Sequence, residues 1–131
     1  MIGLDTNVLV RFFAQDDRLQ SPIADRVMGS LTLGDPGWES VATILELVWV
    51  LGSKNRFDRK AITNTLDQLL SREEIVIEQP DSVQNAFRLF RKGDADFADC
   101  LIASSAQAAG CVRVVTFDRT AARDAGMELL A

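Results

Sequence analysis

The side chains best suited to chemistry in this sequence are carboxylates, and they stand at four places. These are Asp5 in Leu-Asp-Thr-Asn, Glu46 inside an apolar run, Asp96 and Asp99 in Asp-Phe-Ala-Asp, and Asp118 in Thr-Phe-Asp-Arg. What the chain lacks sharpens the point. Its 131 residues include no His and no Tyr. That excludes a Ser-His-Asp hydrolase, and equally a nuclease that cyclises RNA with a histidine acid and base. Cys100 and Cys111 make no CxxC pair, and without His a zinc site is short of donors. A hydrolase built from this chain has to work with carboxylates and a metal ion.

Each acid also has a plainer reading. Asp is a good helix N-cap, and Asp5 and Asp118 both precede predicted helices. Glu46 is harder to explain that way. The run Thr-Ile-Leu-Glu-Leu-Val-Trp-Val-Leu is apolar on nearly every side, so its helix is expected to be buried. A carboxylate there is costly unless it is paired with an arginine or bound to metal. Asp94, Asp96 and Asp99 open a helix, where acids favour the helix dipole. Asp96 and Asp99 nevertheless share a face, which like charges disfavour without a cation between them. Asp99 also borders the apolar Cys100-Leu101-Ile102, so Asp99 is expected as a ligand and Asp96 as an auxiliary.

The elements that must position these acids follow from periodicity and caps. Met1 to Leu4 reads as a buried strand, followed by a helix over Thr6 to Ala14 with Val8, Leu9, Phe12 and Phe13 on its apolar face. Ser21-Pro22 is expected to open a second helix, with Ser21 as N-cap, ending near Leu33-Gly34. A strand over Trp38 to Val41 feeds a helix that runs to about Gly52. Asp58 caps the next helix, which carries Ile62, Leu66, Leu69 and Leu70, and Glu74 to Glu78 is a strand. Asp81 is expected to cap a helix with Val83, Ala86, Phe87 and Phe90, broken by Gly93. A helix over Ala95 to Ala109, stopped by Gly110, leads to the most strand-like segment, Cys111 to Phe117. A helix over Arg119 to Ala125 and a strand at Glu128 to Leu130 follow. Strands alternating with helices imply a parallel sheet covered on both faces, whose ligand site lies beyond the carboxyl ends of the strands. Asp5 and Asp118 both fall at such ends.

Length and composition, 47% apolar and 25% charged, fit one soluble domain spanning 1–131. The N-terminus has no basic and apolar signal region, and no apolar stretch reaches the length of a membrane span. A cytoplasmic protein with unpaired thiols is expected. The net charge of −5 argues against a nucleic-acid partner unless several acids share one site and hold cations there.

Four motifs together resemble the PIN-domain nucleases: Leu-Asp-Thr-Asn-Val-Leu at 4–9, Glu-Leu-Val-Trp-Val-Leu at 46–51, Asp-Phe-Ala-Asp-Cys-Leu-Ile-Ala at 96–103 and Val-Thr-Phe-Asp-Arg at 115–119. The short chain is similar to the VapC toxins of bacterial toxin–antitoxin pairs. The resemblance implies an α/β fold of three layers, α/β/α, with a central parallel sheet of about five strands flanked by helices. It places an acidic quartet on Asp5, Glu46, Asp99 and Asp118, with Asn7 and Thr116 as supporting polar residues and Asp96 at an acid of less certain role. It also implies a homodimer, a cognate antitoxin and an RNA substrate. All-oxygen ligand sets select Mg²⁺ or Mn²⁺, and such ions activate water for attack on phosphorus. Arg11, Arg119 and Arg123 are candidates for phosphate contacts, against a plainer reading as solvated surface residues.

Other classes fit less well. A phosphatase of the haloacid-dehalogenase type needs a second Asp two positions after the first, where this chain has Asn7. A receiver domain expects a Lys after a late strand, where Asp118-Arg119 stands. A catalytically inactive PIN fold kept for RNA or protein contacts is the remaining alternative, and the intact quartet argues against it.

Overall fold

Helices and parallel strands alternate along the whole chain, the α/β class expected from the sequence. The computed structural model describes residues 1–131, which divide into two compact units, Met1–Glu78 and Gln79–Ala131.

In the first unit, strand β1 (Ile2–Gly3) leads into helix α1 (Thr6–Ala14) and then α2 (Gln20–Ser30). Strand β2 (Gly37–Glu39) runs straight into α3 (Val41–Ser53), followed by α4 (Arg59–Leu70) and β3 (Ile75–Ile77). The central strand is β2, parallel to both neighbours, with Gly37 opposite Ile2 and Ile75, and Glu39 opposite Ile77. Parallel pairing requires a long crossover between strands, and the helices supply it. Leu9 from α1, Leu47 and Leu51 from α3 and Leu69 from α4 meet Leu4 and Ile75 in the core. A Cβ at Gly37 would lie 2.8 Å from Leu4 Cδ1 and 3.0 Å from Leu31 Cδ1, so a larger residue there requires these side chains to shift.

In the second unit, α5 (Pro80–Lys92) packs on α6 (Phe97–Ala108), with Phe90 and Phe97 edge to face at 5.9 Å. Strand β4 (Val115–Thr116), helix α7 (Arg119–Asp124) and strand β5 (Glu128–Leu129) complete it, β4 and β5 pairing in parallel. The five strands thus hydrogen-bond as a set of three and a set of two. No helix is long and apolar enough to cross a membrane.

Several expectations change. Glu46 is not buried: the stripe of α3 that turns inward is Ile44, Leu47 and Leu51, which leaves Glu46 and Trp49 exposed on the opposite side. The buried carboxylate is Glu39, fully enclosed on the middle strand. Phe87 and Phe90 of α5 are buried. The strand predicted over Cys111 to Phe117 shrinks to Val115–Thr116, and Val112 is wholly exposed. Neither Ser21 nor Asp81 is an N-cap. The Asp17 carboxylate accepts from Leu19 N and Gln20 N at the start of α2, and Ser21 Oγ instead donates to Arg11 O. Helix α5 starts one residue before Asp81, at Pro80.

Candidate active site

The acids that the sequence singles out stand at helix N-termini, with Glu46 on α3 the exception. Asp5 ends the extended segment after β1 and caps α1, its Oδ1 accepting from Thr6 N at 2.8 Å. Asp96 caps α6, accepting from Asp99 N at 2.8 Å. Asp118 caps α7, accepting from Ala121 N at 2.9 Å. The capping reading of Asp5 and Asp118 is therefore correct as far as it goes. Capping occupies one carboxylate oxygen and fixes the rotamer. The second oxygen of each stays available to a ligand.

In the first unit, Asp5, Asn7 and Glu46 line one open cleft of about 360 Å³, along with Arg11, Lys54 and Asn55. Asp5 and Asn7 come from the start of α1, and Glu46 from the exposed face of α3. Arg11 is held at the far end, its Nη1 on both oxygens of Asp16 at 3.1 and 3.2 Å and its Nε on Gln20 Oε1 at 2.7 Å.

In the second unit, Asp99 sits half-buried in the first turn of α6. Its carboxyl is held above the usual range, first by burial and then by the negative charges of Asp96 and Asp118. Asp96 and Asp118 are thus both close enough to Asp99 for their charges to act on it. Thr116 Oγ1 accepts from Asp118 N at 3.0 Å, which fixes the turn that presents Asp118. Arg123 is tied to Asp124 at 2.9 Å and to Asp94 at 3.6 Å, so it is not free for a phosphate, whereas Arg119 is exposed and forms no ion pair.

The donors are all oxygens of carboxylates, amides and hydroxyls, the set that hard divalent cations select. Crowding of Asp99 by two other acids is the condition that a cation relieves, and in that sense the residues fit a metal ion. As placed, no three acidic or sulfur side chains form a ready-made cage.

Two residues that the sequence did not single out emerge here. Lys54, the C-cap of α3, follows Glu46 at i+8 with Val50 between them at i+4, a spacing that gives a shared face but not a role. Glu39 gives no signal, because nothing in Gly-Trp-Glu-Ser marks the direction of its side chain.

Comparison with known proteins supplies the frame. The family model for the PIN domain matches residues 2–126 and so spans both units. The VapC ribonuclease of Aquifex aeolicus (strain VF5) is 27% identical over 116 residues, 88% of this chain and 86% of that one. No solved structure matches.

Proposed function

The chain belongs to the PIN-domain family, and from that premise we propose that it is a metal-dependent endoribonuclease, the toxin of a VapBC-type pair. On this reading residues 1–131 form one cytoplasmic nuclease domain. The observation that carries the proposal is the state of the acids. Asp5 and Asp118 are fixed by their own helices with an oxygen to spare, and the Asp99 carboxyl is raised by burial and then by the charges of Asp96 and Asp118. Similarity to a VapC ribonuclease supports the substrate class.

Asp5, Glu46, Asp99 and Asp118 are assigned to hold the ion, with Asp96 as an auxiliary. When bound, Mg²⁺ or Mn²⁺ supplies Lewis acidity and lowers the pKa of water. The chain's own part is positioning. Helix N-termini hold Asp5 and Asp118 in one rotamer, and Thr116 fixes the backbone N–H of Asp118. Asn7, exposed in the cleft beside Asp5, offers an amide to orient water or substrate. With no His in the chain, no imidazole is present to take a proton from a ribose 2′-hydroxyl. On this reading water is the nucleophile, and the products carry 5′-phosphate and 3′-hydroxyl ends.

The test is RNA incubated with purified protein, with Mn²⁺ or with excess EDTA, followed by end-group analysis. Cleavage only with metal, giving 5′-phosphates, is expected. Full activity in EDTA, or 2′,3′-cyclic phosphate ends, would contradict the mechanism. Metal binding with no cleavage of any RNA would point to the inactive PIN module instead.

The same reading gives the protein a homodimeric state and a small antitoxin as partner. Exposed Leu19, Ile23 and Trp49 offer apolar surface for such contacts. Co-expression with a cognate antitoxin should yield a stable complex that cleaves no RNA.

A further inference from the structure

We propose that Lys54 holds an RNA phosphate next to the one being cut, contributing to binding rather than to bond breaking. The inference rests on the ribonuclease reading above and adds a residue to it.

The cleft of the first unit is graded in charge along its length. Along α1 from its N-cap the order is Asp5, Asn7, Arg11, and along α3 to its C-cap it is Glu46, Val50, Lys54, so both walls begin with an acid and run to a cation, with Asp16 lining the cleft beside Arg11. Eight residues of helix separate Glu46 from Lys54 by about 12 Å along the axis. The two cations are not equivalent. Arg11 is committed to Asp16 and Gln20, and Asp16 also accepts from Asn55 Nδ2 at 2.8 Å. Lys54 is exposed and pairs with no carboxylate, although the chain carries more acids than bases.

An unpaired ammonium at one end of an acidic cleft suits a polyanion lying along it. One phosphate then meets the carboxylates and their ion, and a flanking phosphate meets the cation. A lysine head is a hydrated point charge on a flexible stem, which fits phosphate without reading the base. The contact is therefore sequence-independent and sensitive to salt.

The experiment measures binding of two single-stranded RNA oligonucleotides of different sequence, by anisotropy in EDTA over a KCl series. Lys54→Ala should weaken both RNAs equally, by about fivefold, and should reduce the slope of log affinity against log salt by about 0.7, the value for one single-strand phosphate. Lys54→Arg should restore both quantities. Lys60→Ala, which removes a charge on α4 away from the cleft, should leave them unchanged. In Mn²⁺, Lys54→Ala should raise KM for cleavage and leave kcat near wild type. An unchanged slope in Lys54→Ala, an equal loss in Lys60→Ala, or no measurable binding of either RNA would overturn the proposal. If the wild type binds RNA through Lys54 but never cleaves it, the ribonuclease reading falls and the phosphate contact stands.

Discussion

The sequence surroundings of Glu46 suggest burial, yet the carboxylate that the fold encloses is Glu39. Glu46, set among Leu, Val and Trp, reaches solvent because only one stripe of α3 turns inward. Glu39 is fully buried, and neither carboxylate oxygen has a partner. Burial alone pushes its carboxyl from 4.5 up to about 7, with no charged neighbour contributing. The folded state therefore keeps this proton to a higher pH than the unfolded chain does. Its contribution to stability is fully present below 4.5, is lost as pH rises to about 7, and is level beyond. The span corresponds to about 3 kcal/mol. Glu39→Gln keeps the shape and removes the titration. Urea unfolding should find Glu39→Gln the more stable protein at pH 8, with the gap closing toward pH 4.5. A gap that stays constant with pH would show that Glu39 does not carry the titration.

At the level of the elements, the same carboxylates serve as caps and as candidate ligands, and substitution can separate the two roles. Asp118→Asn retains a good N-cap and should change stability by only a few tenths of a kcal/mol, whereas Asp118→Ala should lose about 1 kcal/mol. Cleavage should fail in both variants. If Asp118→Asn cleaves as the wild type does, Asp118 is a cap and nothing more. Those caps also explain which elements could be read from the sequence. Asp5, Asp58 and Asp118 sit immediately before the helices they cap, and α1, α4 and α7 begin where expected. Glycine was equally informative after α6, where Gly110 takes a positive φ of 91°. Valine was not. Val112, Val114 and Val115 promised a seven-residue strand, but β-propensity measures fit to a half-buried pleated surface rather than an intrinsic preference. Only Val115 and Thr116 find a partner strand, in Glu128 and Leu129. The start of α2 is not legible because Ser21-Pro22 looks like a cap, while Asp17 supplies the hydrogen bonds from outside the helix.

For the whole molecule, net charge was the observation most at odds with an RNA substrate. The acids fall into two sets, Asp5 with Glu46 in the first unit and Asp96, Asp99 and Asp118 in the second. Cations gathered by such sets would offset the charge that RNA otherwise meets. The motifs carrying this reading are legible in the sequence because each is local: Asp5, Asp96, Asp99 and Asp118 stand at helix starts, and Glu46 lies within one helix. Lys54 is not legible there, because its meaning depends on Arg11 being occupied by Asp16, a pairing that only the folded chain displays. The proposed function requires both acidic sets to serve one reaction. Groups that act as a unit are non-additive when removed together. The direct measurement is the RNA cleavage rate in Mn²⁺ of wild type, Asp5→Asn, Asp99→Asn and the double variant. Each single substitution should bring the rate below about a hundredth of wild type, and the double should be no slower than either single. Undiminished cleavage in either single variant, or losses that multiply in the double, would contradict the account.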